Sequence, residues 1–243
     1  MTDLPTELEP ISSRGWPPEV SEALGEWRLH AARGYSGRAN ACWPIGAPGR
    51  PLAEAIGAVE AWYGERGLPP LFRPADIAAT TALRQALGVR GYRPRTETLV
   101  MVGPLALGDA AQGIELSDAP DPGFTGVFLA TAANAEDAAE RIAAVARLAA
   151  PRAFARLDLD GAPAAIGAAA VEGDWAGLFG MRTVTLHRRK GLALRVIAAL
   201  AQFSVLAGAR RAYLQVEATN APAVTLYARL GFETAYRYRY WAR

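Results

Sequence analysis

Apolar residues recur at helical spacing over Leu192, Val196, Ala199, Leu200, Phe203 and Leu206, which predicts a helix with one core-facing stripe and an end at Gly208. Ala212–Val216 then reads as a short buried strand. A second helix should begin at Asn220, a suitable N-cap, with Pro222 in the first turn, where its missing N–H costs nothing. Ala223, Leu226, Tyr227 and Leu230 share one face of it, and Gly231 ends it. Upstream, Trp175–Thr183 is β-rich, so the order β-loop-α-β implies parallel strands and a right-handed crossover. Ala153–Leu159 and Ala164–Val171 read as an antiparallel hairpin turning at Asp160-Gly161. Ala135–Leu148 predicts a helix with Asn134 as N-cap and acids in its first turn. Tyr236–Trp241 alternates Tyr with Arg, as a strand with one aromatic and one wet face would.

The first half carries a similar order. Pro51–Gly67 has proline at the start and glycine past the end of a helix. Leu71–Arg73 is a brief strand, Asp76–Leu87 a second helix with Gly91-Tyr92 beyond it, and Thr96–Gly103 a strand. Gly67 to Gly91 and Gly208 to Gly231 are nearly equal spacings, which suggests an internal repeat shifted by about 140 residues, with Leu87 opposite Tyr227. Before that, Trp27–Ile45 reads as two strands joined by a turn at Gly34–Gly37, Glu19–Trp27 as a short helix, and residues 1–14 as a loose leader. Leu105–Gly126 is rich in Gly, Pro and Asp and is the expected boundary, with the next helix starting within 127–132. The expected division is a leader over 1–19, a first domain over 20–110 and a second over 111–243.

Chemistry concentrates in V-T-L-H-R-R-K-G-L-A, Val184–Ala193. A strand end, a basic loop and a helix N-terminus together suit phosphate oxygens, because loop N–H groups and the positive end of the helix dipole face the anion. Gly191 allows close backbone approach. The order R-x-x-G-x-A, from Arg188, Gly191 and Ala193, resembles the pyrophosphate loop of the GCN5-related N-acetyltransferases. So does N-x-x-A-x-x-L-Y-x-x-x-G-F over Asn220–Phe232, in its usual place after the following strand. The resemblance covers Phe154–Trp241 and looks like the two-domain bacterial type with a degenerate N-terminal half.

What the resemblance implies is specific. The fold would be α/β (α+β), a mixed and mostly antiparallel sheet with splayed central strands flanked by helices. Acetyl-CoA would be the cosubstrate, with Thr183 and Val184 beside its pantetheine arm and an amide near Val184 polarising the thioester carbonyl. Arg188, Arg189, Lys190, Gly191, Leu192 and Ala193 would hold the pyrophosphate. Asn220 and Ala223 would flank the thiol end, and Tyr227 would protonate the departing thiolate. A phenol with pKa near roughly 10 can donate to a thiolate near roughly 8.5 while staying protonated at neutral pH. Leu186 stands where many members have proline. The strand Trp175–Val184 carries no carboxylate, so Glu172 and Glu217 are the candidate general bases; each also reads as an ordinary solvated or structural carboxylate. Arg38 and Asn40, in the turn Gly34–Asn40, are the candidate substrate contacts, and an ordinary turn is the bland alternative.

Composition narrows the classes. With 51% hydrophobic residues over 243, the chain can build a sizeable core, and a net charge of +2 is too mild to argue nucleic-acid binding. One cysteine, Cys42, forbids an internal disulfide and fits a reducing cytoplasm. His30 and His187 with one cysteine give no metal-ligand spacing. The N-terminus is acidic rather than signal-like, and no apolar run reaches ~18 residues, so no membrane span is expected. The expectation is an acyl-CoA-dependent N-acyltransferase that moves acetyl to a small-molecule or peptide amine by direct attack. The rival is a non-catalytic acyl-CoA-binding or regulatory module. Oligomeric state stays open; an edge strand or tail could support a dimer.

Overall fold

The structure, a computed structural model, describes residues 3–106, 108 and 113–243. The chain divides into two units. The first holds the chain through Val100, Val216–Asn220 and Thr234–Arg243; the second holds Met101–Gln215 and Ala221–Glu233. The junction expected between 110 and 111 lies outside the described residues.

The first unit begins with α1 (Leu4–Arg14), where a loose leader is expected. Leu8 is fully buried, and Glu9, nearly so, accepts from Arg73 and from the Tyr236 hydroxyl, which holds the helix in place. Strands β1 (Val20–Leu24) and β2 (Trp27–Ala31) form a hairpin where Glu19–Trp27 reads as a helix. Gly25 takes the left-handed backbone of the turn, and four of the five β1 residues are exposed, so their pattern carried no core signal. β3 (Cys42–Trp43) pairs antiparallel with β2, and Cys42 pairs in parallel with Phe72. The crossover between them contains α2 (Leu52–Gly64). Then come α3 (Thr81–Val89) and β4 (Arg93–Gly103). The core is Trp27, Leu29, Cys42, Ile56, Val59, Tyr63, Phe72, Leu87 and Tyr92 with their neighbours.

The second unit opens with β5 (Ile114–Ser117), an edge strand inside the stretch read as a boundary. α4 (Pro122–Thr131) starts earlier than expected: the Asp121 side chain accepts from Phe124 N–H at 2.6 Å and Pro122 occupies the first turn. α5 (Ala135–Ala146) is capped as expected, Asn134 Oδ1 accepting from Asp137 N–H at 2.8 Å. β6 (Arg152–Leu159) and β7 (Ala162–Glu172) form the hairpin, with positive φ at both Asp160 and Gly161, as a type I′ turn needs. β8 (Trp175–Thr183), α6 (Leu192–Leu206), β9 (Arg211–Glu217) and α7 (Ala221–Arg229) follow. The strands stand in the order β9-β8-β7-β6-β5, antiparallel except for the parallel β8–β9 pair. This is a mixed, mostly antiparallel sheet flanked by helices. The last strand, β10 (Glu233–Ala242), runs from Thr234 onward in the first unit, beside β4.

The same helix stop recurs in both halves. Leu68 N–H donates to Tyr63 O and Tyr92 N–H to Leu87 O; Ala209 N–H donates to Ser204 O and Phe232 N–H to Tyr227 O. In each case the preceding glycine, at 67, 91, 208 or 231, has positive φ, which is the helix-stop geometry that only glycine adopts freely.

Candidate active site

The second unit builds its site where β8 ends. The parallel register runs only from Trp175↔Arg211 to Leu178↔Leu214, so Phe179–Thr183 have no β9 partner and the two strands part. On its other side β8 stays with β7, to Ala165↔Thr183, past an irregularity at Ile166/Ala168 where Gly180 has positive φ.

Beyond Thr183 the ladder ends in one more bond, Val184 N–H to Ala164 O at 2.9 Å, while Val184 O accepts from His187 N–H at 2.9 Å. Both backbone groups of Val184 are therefore engaged within the protein, so of the two residues expected beside a ligand arm it is not the one with a free amide. Backbone direction alternates along a strand, so Thr183 turns its N–H and C=O away from β7, into the opening. Arg188 Nε reaches that carbonyl at 3.4 Å.

The loop then makes one turn of 3-10 helix, Thr185–His187, with Leu186 exposed. Arg188, Arg189 and Lys190 are exposed, and Arg189 holds φ at 62°. A left-handed conformation costs a non-glycine residue about 1–2 kcal/mol, a strain that clusters at ligand clamps. Gly191, φ 76°, is the N-cap of α6 and offers no side-chain acceptor. The first turn's N–H groups, on Leu192, Ala193 and Leu194, have no acceptor among the described residues; the first ladder bond runs from Arg195 to Gly191 at 3.3 Å. Open N–H groups, a helix dipole and three flanking cations form an anion cradle. The Nδ1 of His187 is buried there without a hydrogen-bond partner.

Tyr227 lies on α7, buried, its ring 6.0 Å from Phe232. Ala223 is one turn earlier on the same helix, and Asn220 immediately precedes it. Glu172 pairs with Trp175 at the start of β8, the end opposite the loop, roughly 25 Å away along an extended strand. The structure does not bring it to the cradle. Glu217 closes β9 as an exposed residue, and its carbonyl accepts from Asn220 N–H at 2.9 Å.

In the first unit Asn40 is buried and spent on its own turn. Its Oδ1 accepts from Ala32 N–H at 2.7 Å and Gly34 N–H at 3.0 Å, and its Nδ2 donates to Ser36 O at 2.9 Å. Arg38 lies over the Trp16 ring at 4.5 Å. The bland account of this turn fits Asn40. Cys42 is fully buried, and burial pushes its thiol pKa up, so it is inert. Among the described residues no group of His, Cys, Asp or Glu could hold a metal ion, and no helix is long and apolar enough to cross a membrane.

Comparison with known proteins agrees along the whole chain. Residues 6–241 match the family described as "Probable histone acetyltransferase Rv0428c C-terminal". The "Uncharacterized N-acetyltransferase YobR" of Bacillus subtilis is 23% identical, with 96% of each chain covered. Among solved structures, a "GCN5-related N-acetyltransferase from Kribbella flavida" overlays with a TM-score of 0.70 at 17% identity, covering 100% of this chain and 96% of that one. A "Tandem GNAT protein from the clavulanic acid biosynthesis pathway" overlays with a TM-score of 0.62 at 14% identity, covering 100% and 89%.

Proposed function

Because the chain belongs to the Rv0428c C-terminal acetyltransferase family, within the GCN5-related N-acetyltransferases, we propose that it transfers an acetyl group from acetyl-CoA to a primary amine. The observation that carries this reading is the cradle at the start of α6. Its unsatisfied N–H groups, the left-handed backbone at Arg189 and Gly191, and the cations beside them fit a pyrophosphate. Bound there, acetyl-CoA would supply a thioester carbon open to direct attack by an amine.

The protein's own part is chiefly positioning, since holding amine and acyl donor together removes a large entropic barrier. Thr183, with its N–H turned into the β8–β9 opening, is the amide near Val184 that would hydrogen-bond the cofactor arm. Arg188, tied to the Thr183 carbonyl, joins the cradle to the strand end. Tyr227 is the proposed acid for the leaving thiolate. Neither Glu172 nor Glu217 is needed if water takes up the amine proton. The acceptor is a small-molecule or peptide amine, and a reducing cytoplasm suits the lone buried cysteine. A non-catalytic acyl-CoA-binding module is the second reading, favoured by the absence of a carboxylate on β8.

Calorimetric titration of acetyl-CoA into wild type and Gly191→Glu tests the site. The carboxylate would sit at the helix start and repel the pyrophosphate, raising Kd on the order of 100-fold, about 2.7 kcal/mol. Equal binding to both proteins sinks the cradle. Thiol release on adding amines then separates enzyme from binding module.

A further inference from the structure

Acetyl transfer as described leaves the one charged residue of the open strand segment unused. Arg182 stands on β8 beside Thr183, partly buried. Its Cζ lies 4.8 Å from the centroid of the Phe128 ring. Its Nη1 donates to Thr131 O at 2.8 Å and to Thr131 Oγ1 at 3.1 Å. Thr131 is the last residue of α4, so the guanidinium is fixed against the negative end of a helix dipole.

That anchoring leaves most of the group unanswered. Its Nε–H and Nη2 hydrogens have no partner among the described residues, and no carboxylate there lies within ion-pair distance. The carboxylate that acts on it electrostatically is engaged elsewhere, since Asp137 Oδ1 accepts from Arg141 Nε at 2.7 Å. Burial, and then Arg141, depress the Arg182 pKa, while Asp137 opposes them. A half-desolvated cation without a counter-ion is costly, and a bound anion relieves the cost. The unused donors lie along one edge of the guanidinium, the two-pronged geometry that fits a carboxylate.

Position separates this group from the cofactor cradle. Gly180 and Arg182 share the α4–α5 face of the sheet, since a Cβ built on Gly180 would lie 3.0 Å from Phe128 and 3.6 Å from Val145. The opposite face carries α6, where Met181, Val196 and Leu200 crowd the space beside Gly167. Yet only one peptide unit separates Arg182 from the Thr183 amide that looks into the opening. We propose that Arg182 binds a carboxylate on the acceptor, so that the substrate is a primary amine that also carries a carboxylate. The inference rests on the acetyl-transfer reading.

The test is acetylation of matched acceptors: α-, β- and γ-amino acids against their amides, and O-phosphoethanolamine against ethanolamine. Wild type, Arg182→Gln and Arg182→Lys are compared, with acetyl-CoA affinity measured by calorimetry in each. Wild type should favour the carboxylates over their amides by about tenfold or more in kcat/KM, as a charge-assisted pair would give. The ratio should fall to about 1 in Arg182→Gln through KM, stay partial in Arg182→Lys, and leave acetyl-CoA affinity unchanged. Equal use of acids and amides by wild type, an unchanged ratio in Arg182→Gln, or a preference for the phosphate alone would overturn the proposal. If acetyl-CoA binds but no acceptor turns over, N-acetylglycine and N-acetylglycinamide are titrated into the CoA complex. Binding of the acid alone, lost in Arg182→Gln, supports the proposal, and any other pattern refutes it. Failure of acetyl-CoA to bind wild type is a separate result, which removes the transferase reading and this inference with it.

Discussion

Glu9→Gln should destabilise the first unit far more than its place in an N-terminal helix suggests. Arg73 is fully buried, its guanidinium 3.6 Å from the Trp43 ring centroid and 3.5 Å from that of Tyr238. Burial works against its charge, but Glu9 beside it more than compensates and holds the Arg73 pKa above the usual arginine range. Arg73 Nη1 donates to Glu9 Oε2 at 2.6 Å and Nη2 to Oε1 at 3.2 Å, and the Tyr236 hydroxyl also donates to Oε1 at 2.6 Å. Glutamine keeps the shape but removes the charge, and it points N–H donors at N–H donors. Removing one partner of a buried pair costs about 3–5 kcal/mol because the other charge is stranded. Replacing both with apolar residues, Glu9→Leu with Arg73→Met, should cost much less than the single change, since neither charge is then desolvated alone. Urea denaturation followed by tryptophan fluorescence gives each value and their coupling. A Glu9→Gln loss under about 1 kcal/mol, or simple additivity in the double variant, would refute the account of α1 as ionically latched.

Acid should weaken the first unit through His30, whose pKa is lowered from 6.5 to about 4, chiefly by burial. The unfolded chain takes up the proton near 6.5 and the folded chain not until about 4, so this contribution is intact above that window and is lost as pH falls through it, by up to about 3 kcal/mol. His30→Gln should flatten the urea-midpoint profile between pH 7 and pH 4.5; an unaltered slope would show that the carboxylates dominate. Arg189→Gly should leave stability unchanged or raise it by up to about 1 kcal/mol, because relief of the left-handed strain offsets added unfolded-state freedom, while acetyl-CoA affinity falls several-fold. A clear loss of stability in thermal melts would show that the strain assignment is wrong. Gly103→Ala places its Cβ 2.6 Å from Phe232 Cγ and should cost about 1–3 kcal/mol, whereas Gly126→Ala, exposed within α4 with open space around it, should gain about 0.5–1 kcal/mol. Chemical denaturation of the two variants should therefore shift in opposite directions.

What the sequence revealed depended on how local the cause was. The Asn134 cap, the Asp160-Gly161 turn and the four helix-stopping glycines are each decided within a few residues, and they stand where the pattern puts them. The same holds for the loop around Arg188–Gly191, because a strand end, cations and a helix start are contiguous. α1 was invisible because its stability comes from Arg73 and Tyr236, far along the chain, acting on a glutamate that pattern alone assigns to the surface. β5 and β1 were missed because short, exposed edge strands carry little hydrophobic signal. Asp121-Pro122 did announce α4, and the Gly-rich composition around it masked the signal. Which amide near Val184 faces the opening was not legible for a different reason: pairing register decides which way an amide points, and a one-residue step reverses it.

The two halves show what separates a frame from a site. Each has a parallel strand pair joined across a helix, with the same glycine stop beyond that helix. In the second unit the crossover helix starts at a glycine with open N–H groups and cations before it. In the first unit α2 starts behind Pro51, carries Glu54 in its first turn, and has the loop before it tied down by Glu26 accepting from Ala47 N–H at 2.6 Å. An acid at that position repels phosphate, as the helix dipole alone does not. Just past the pairing of Cys42 with Phe72, where the second unit's strands part, Arg73 fills the space between Trp43 and Tyr238. The first unit therefore keeps the backbone that makes a cradle possible, while its side chains close the position a cofactor arm would need. Activity should then follow the second unit's loop, so calorimetry should return a stoichiometry of one in wild type, and Gly191→Glu should weaken that single event by the same factor of about 100 and leave no second one. A second binding event that survives Gly191→Glu would overturn that division of labour.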